Sequence, residues 1–103
     1  MKVTDEQLHA VKETLSDELP DADGALVAVN EASLTRFVLS VGEQQRYRLA
    51  VTHEFFAVYQ TANAIISELE TRFVARELRD NPERWLLLGR DGPPVPVGDP
   101  DSI

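Results

Sequence analysis

The chain has 103 residues, of which 43% are hydrophobic and 27% charged, so a disordered composition is excluded and one folded domain is expected. Because the sequence contains no cysteine, disulfides, thiolate nucleophiles and thiolate metal sites are excluded as well. The formal charge of -8, from 18 acidic and 10 basic residues, disfavours binding to nucleic acid, which depends on Lys and Arg.

The first predicted element is a helix over residues 5–18. Thr4 is a good N-cap, and Gln7, three residues later, completes a capping box. Leucines and valines then recur at helical spacing until Pro20 stops the pattern.

Three strand-like runs follow, at residues 25–30, 35–41 and 45–52. They are separated by the short connections 31–33 and 42–44. Connections of this length join antiparallel neighbours, so the sequence predicts an antiparallel meander.

Alternation along the second and third strands separates a core face from an outer face. Phe37 and Leu49 belong to the core face, whereas Arg36, Arg46 and Arg48 share the outer face. Three neighbouring arginines could hold a carboxylate or a phosphate of a partner. The alternative is that they are solvated, since an antiparallel sheet can face water on one side.

A long helix is predicted from about residue 53 to residue 80, with Thr52 as its N-cap and an apolar stripe as its dominant feature. Phe56, Val74 and Leu78 lie off that stripe. Some of them need cover from other elements, from the C-terminal segment or from a second subunit, and this surplus apolar surface favours self-association.

Three arginines, Arg72, Arg76 and Arg79, follow one side of the same predicted helix. Glu68 precedes Arg72 by four residues, which is the favourable order for an intrahelical ion pair. We therefore interpret this side of the helix as solvated.

The apolar run within residues 84–89 predicts a fourth strand or an extended segment. Trp85 and Leu87 are its candidate partner-binding residues. As a core strand the run completes the sheet, whereas as an unpaired edge it would add a strand from another chain. Residues 91–103 are rich in proline and acidic, which predicts a flexible tail after a domain of residues 1–90.

The order of elements predicts an α+β fold of the form α-β-β-β-α-(β). In this fold an antiparallel sheet carries two helices packed on one face.

Motifs for catalysis, metals and nucleotides fail on inspection. His53 and Glu54 are adjacent, but a zinc-protease helix needs a second histidine at position 57, which is Ala57. The scattered glycines form no phosphate-binding loop. We predict no catalytic residue, no metal and no cofactor.

The leading functional hypothesis is a non-enzymatic binding or adaptor protein that uses the outer sheet face or the Trp85 segment. Its partner is another protein or a second copy of the chain, as a homodimer. One alternative is a ligand-binding or enzymatic fold whose pocket, between the second helix and the sheet, uses His53, Tyr59 or the arginines. A weaker alternative is a nucleic-acid-associated regulator. Without a bilayer-length apolar run or a signal-peptide pattern, we expect a cytoplasmic protein that does not bind membranes.

Overall fold

The computed structural model describes residues 3–22 and 26–98, which form helices and a five-stranded sheet. The α+β fold class is therefore confirmed. The helices are α1 (Asp5–Glu18), α2 (His53–Val58), α3 (Ala62–Thr71) and α4 (Val74–Asp80). The strands are β1 (Val27–Asn30), β2 (Leu34–Val41), β3 (Gln44–Thr52), β4 (Trp85–Leu88) and β5 (Val95–Val97), and they lie side by side in the order β1-β2-β3-β4-β5.

The start of α1 is the predicted capping box. The Thr4 hydroxyl accepts a hydrogen bond from the Gln7 amide at 3.2 Å, and the Gln7 side-chain oxygen accepts one from the Thr4 amide at 2.9 Å. Gln7 is also buried, and its side-chain nitrogen donates to the Phe56 carbonyl at 2.9 Å. One side chain therefore caps α1 and joins it to α2.

The meander of β1, β2 and β3 is antiparallel, as its short connections predict. Phe37 lies opposite Leu49, and both are fully buried on the face that the helices cover. Gly42, in the turn between β2 and β3, has a φ of 62°, a conformation that favours glycine.

The sheet is mixed rather than wholly antiparallel, because β4 runs parallel to β3. The chain leaves β3, passes through α2, α3 and α4, and returns to the sheet in the same direction, as a helical crossover requires. β5 then pairs antiparallel with β4.

The predicted long helix is wrong in its continuity, since the chain between residues 53 and 80 forms three helices. The Thr61 hydroxyl accepts from the Ala64 amide at 3.2 Å and begins α3, while Phe73, with a φ of 55°, separates α3 from α4. The breaks change the directions of the short helices. The residues outside the predicted apolar stripe, Phe56, Val74 and Leu78, are fully buried within the chain. These three residues therefore give no argument for a second subunit.

Part of the predicted flexible tail lies in the sheet. Val95 and Val97 pair with Leu87 and Trp85, and Pro96 lies between them on an edge strand, where a missing amide hydrogen is tolerated. Residues 99–103 of that tail, and residue 25 of the predicted first strand, lie outside the described residues.

The core fills the space between the helices and the face of the sheet turned toward them, which we call the inner face. Buried residues of α1, α2, α3 and α4 join those of β2, β3 and β4 in one cluster. The inner-face members from the sheet are Phe37, Leu39, Tyr47, Leu49, Val51, Leu86 and Leu88.

Candidate protein-binding face

The strand register shows which residues lie on the opposite side of the sheet, which we call the outer face. Two rows of directly opposed residues cross all five strands. The first row is Val27, Val38, Arg48, Trp85 and Val97, and the second is Val29, Arg36, Ala50, Leu87 and Val95. Eight of these ten residues are apolar and two are arginines, so neither row contains an acidic residue.

The outer face lies outside the core cluster and, in the described part of the chain, is most exposed at its two edge strands. None of the ten residues belongs to the core cluster that the helices cover. Val27, Val29 and Val95 are 53%, 51% and 47% exposed. Val38, Trp85, Leu87 and Val97 are half-buried and Ala50 is fully buried, so the exposed apolar surface lies along the two edge strands. Exposed apolar residues that share one face of a sheet can form an interaction surface.

Arg36 and Trp85, two of the predicted site residues, are in contact. The guanidinium carbon of Arg36 lies 5.2 Å from the centre of the Trp85 ring, a cation–π geometry. Arg36 reaches the ring across β3 over Ala50, whose small side chain leaves room for it and is fully buried. The Nε of Arg36 also pairs with the Glu31 carboxylate, and the Arg36 side chain is 17% exposed. Arg36 is thus held in place on the outer face.

Arg48 lies directly opposite Trp85 in the neighbouring strand. Its Nη1 donates to the Glu83 carbonyl at 3.0 Å. Its Nε is buried and has no hydrogen-bond partner among the described residues. Since a buried donor without a partner is costly, Arg48 has hydrogen-bonding capacity that a rearranged or bound state could use.

Arg46, the third predicted arginine, is placed differently. Its guanidinium interacts with the Tyr47 hydroxyl, which itself donates to the Asp21 carboxylate. Burial and the bond to Asp21 raise the pKa of Tyr47 above its usual 10.0, whereas Arg46 opposes the shift. Arg46 therefore contacts a tyrosine that belongs to the core cluster.

Leu87, the last predicted site residue, lines a groove at one end of the outer face. The groove has a volume of about 320 Å³ and is lined by Ser33, Leu34, Thr52, His53, Glu54 and Leu87. His53 is fixed beside it by a 3.1 Å contact from its Nε2 to the Asn30 side-chain oxygen. A pocket with His53 on its wall therefore exists at the strand ends.

The inner side of α2 is packed with aromatic side chains, whereas a pocket was predicted there. Phe55 and Phe56 are both fully buried there, with their rings edge to face at 5.5 Å. Tyr59, the other residue predicted for a pocket, accepts a hydrogen bond from Arg72 at 3.1 Å and is not among the groove-lining residues. His53 and Tyr59 are therefore not brought together in this groove.

Arg72 is not solvated, contrary to the prediction for its side of the helix, because its side chain is only 9% exposed. Its Nη2 pairs with Glu68 at 2.7 Å, and its Nη1 donates to the Gly89 carbonyl at 2.8 Å and to the Gly92 carbonyl at 3.2 Å. The guanidinium also lies 5.4 Å from the Phe55 ring centre. Glu68 could be identified by its spacing, but carbonyl partners leave no signal in a sequence.

Within residues 3–22 and 26–98, no group of three or more His, Cys, Asp or Glu side chains is placed to hold a metal ion. None of the described helices has the length and apolar character needed to cross a bilayer. No protein-family model, curated protein or solved structure matched the chain.

Proposed function

We propose that the protein is a non-enzymatic, cytoplasmic binding or adaptor protein that holds a protein partner against its outer face. The observation that supports this proposal is the pair of five-residue rows, eight apolar residues and two arginines, on the side of the sheet away from the core cluster. Trp and Arg are the residue types that most often dominate binding energy at protein interfaces.

The charge of the outer face indicates the chemistry of its partner. In a chain with a net charge of -8, the two rows carry two positive charges and no negative one. Arg36 is already paired with Glu31, whereas Arg48 keeps an unpartnered Nε among the described residues. A partner segment with apolar side chains and a carboxylate directed at Arg48 complements this surface.

The test is a selection from a random peptide library displayed on phage, with the full chain as bait. We expect the selected peptides to combine apolar residues with Asp or Glu. Val95→Asp and Arg48→Gln should each weaken the binding of a selected peptide by about tenfold or more, as expected for residues that contact the partner.

The matched control is Val58→Asp, because Val58 on α2 is 51% exposed and lies outside the two outer-face rows. It should leave peptide binding unchanged. Selected peptides without acidic residues, or peptides that bind Val95→Asp and Arg48→Gln as tightly as the original chain, would reject the proposal.

A second candidate function is the binding of a small ligand in the groove. The observation that favours it is the combination of Leu34 and Leu87 with His53 and Glu54 around one cavity. An apolar amine suits this lining, because its hydrocarbon part can cover the leucines while its ammonium group meets the carboxylate. Amide NMR spectra during titration with phenethylamine should shift at Leu34 and Leu87, and Glu54→Gln should remove the shifts. Absence of shifts at millimolar amine would reject it.

A further inference from the structure

The strand β1 forms one edge of the sheet, and its far side is unpaired in the described part of the chain. The other edge, β5, contains Pro96, which cannot donate a backbone hydrogen bond. β1 contains no proline and no charge, with the sequence Val-Ala-Val-Asn. Proline and charge are two devices with which natural proteins block edge-to-edge pairing, and β1 has neither.

The register shows which backbone groups of β1 face the open edge. The Glu31 amide donates to the Leu34 carbonyl at 2.9 Å, so these opposed residues form a hydrogen-bonded pair. Bonded and non-bonded pairs alternate along an antiparallel ladder. Val29 and Val27 therefore bond to β2, whereas the amides and carbonyls of Ala28 and Asn30 point away from it.

We infer that a second copy of this chain pairs with this edge, with β1 antiparallel to β1 around a two-fold axis at Val29. In this register Ala28 of each copy lies opposite Asn30 of the other, and the outward backbone groups of both residues are satisfied in both directions. Val29 then lies opposite the partner's Val29 in a non-bonded pair, where side chains approach most closely.

The absence of charge along β1 allows a second copy to be the occupant. Two chains of net charge -8 repel each other, and residues 27–30 form a contact stretch without charge. The next residue, Glu31, is paired with Arg36, which offsets its charge close to the axis. The pairing also places Val29 beside Val29 of the other copy and Val27 opposite Glu31 of the other copy, and the two valines are among the most exposed large apolar residues described.

The dimer does not depend on the proposed partner-binding function. It joins two five-stranded sheets into one continuous sheet, so that the two outer faces lie next to each other. Loss of peptide binding through Arg48→Gln would leave the dimer intact, and loss of the dimer through Ala28→Pro would leave the ten outer-face residues unchanged.

The test is analytical ultracentrifugation of the full chain between about 1 and 300 µM, since a ladder this short buries less than the ~1,600 Å² of a standard interface and should dissociate at micromolar concentration. The wild-type chain should form dimers in this range. Ala28→Pro removes an outward amide and keeps the bonds to β2, so it should weaken dimerisation about tenfold or more. Ala28→Ser retains the amide and is the matched control, which should dimerise like the wild type.

A charge swap at Val29 tests the position of the two-fold axis. Its outcome does not depend on a proline substitution. Val29→Lys and Val29→Glu should each be monomeric, because the axis places like charges opposite each other. An equimolar mixture of the two variants should form dimers again. A monomeric wild type at 300 µM, dimerisation of Ala28→Pro as tight as that of the wild type, or no recovery in the mixture would each overturn the inference.

Discussion

The two faces of the sheet are built from alternate residues of the same strands, but their surroundings differ. On the inner face, Leu86 and Leu88 of β4 are fully buried among helix residues. On the outer face of the same strand, Trp85 is half-buried in contact with Arg36, a side chain from the sheet itself, while Leu87 borders a groove. The inner face thus packs against the helices, whereas the outer face keeps apolar residues outside the core cluster.

The largest expected effect tests this contrast at neighbouring positions of β4. Leu86→Ala should lower the free energy of unfolding by about 3 kcal/mol, because it leaves a cavity in the core. Leu87→Ala should cost about 1 kcal/mol, because Leu87 is half-buried at the groove. Urea denaturation of both variants measures the difference, and equal losses would show that the outer face is as important for stability as the inner face.

The next effect concerns the attachment of the outermost strand. Arg72→Ala should lower the free energy of unfolding by about 2 kcal/mol, because it removes charged hydrogen bonds to Glu68 and to the carbonyls of Gly89 and Gly92. Hydrogen exchange at Val95 and Val97 should become faster. Arg76→Ala, at an exposed position of α4, is the control and should change stability by less than about 0.5 kcal/mol. If the β5 amides exchange at the same rate in both variants, Arg72 does not anchor the strand.

A smaller effect separates the two roles of Gln7 in the helical layer. Gln7→Glu keeps an oxygen that can cap α1, but its carboxylate cannot donate to the Phe56 carbonyl, so at neutral pH we expect a loss of about 1 kcal/mol. A carboxyl buried at this site prefers its protonated form, which can donate. The loss should therefore shrink as the pH falls through the acidic range, as thermal melts at pH 7 and pH 4 can measure. A loss that is equal at both pH values would contradict the donor role.

The smallest effect concerns an exposed aromatic residue outside the outer face. Phe73 is 61% exposed and has a φ of 55°, where a residue with a Cβ is strained. Phe73→Gly should raise the free energy of unfolding by about 0.5 kcal/mol, since the relief of strain exceeds the entropic cost of glycine. Phe73→Ala keeps the Cβ and should give no increase in thermal melts. Equal behaviour of the two variants would show that Phe73 is not strained.

Local signals in the sequence predict much of this fold. The capping box of Thr4 and Gln7 gives the start of α1, and hydrophobic alternation with short turns gives the β2–β3 hairpin and its two faces. These features depend on residues close together in the chain, so the sequence contains what is needed to predict them. Arg36 contacts Trp85, and Arg48 lies opposite Trp85 in the neighbouring strand. Both positions agree with the prediction that the two arginines share the outer face.

Features that depend on distant contacts were not predictable. The periodicity of residues 53–80 continues across both helix breaks, and tertiary packing decides that Phe73 adopts a left-handed conformation. The pairing of β5 depends on the contact of Val95 and Val97 with β4. Because Pro96 lies between the two valines, their alternation does not indicate a strand in the sequence. The buried role of Arg72 depends on carbonyl groups about 20 residues away, for which no residue type is diagnostic.

The parallel pairing of β3 with β4 determines the order in which the chain can complete its sheet. The meander forms from neighbours in sequence, whereas Arg48 meets Trp85 only after the whole three-helix crossover has been made. During synthesis on the ribosome, β3 is therefore an open edge until residues 85–88 emerge, and non-local pairing of this kind is slow. A nascent chain that pauses near residue 80 leaves that edge of β3 without its partner strand. This interval is the point at which a chaperone would protect the protein most effectively from aggregation.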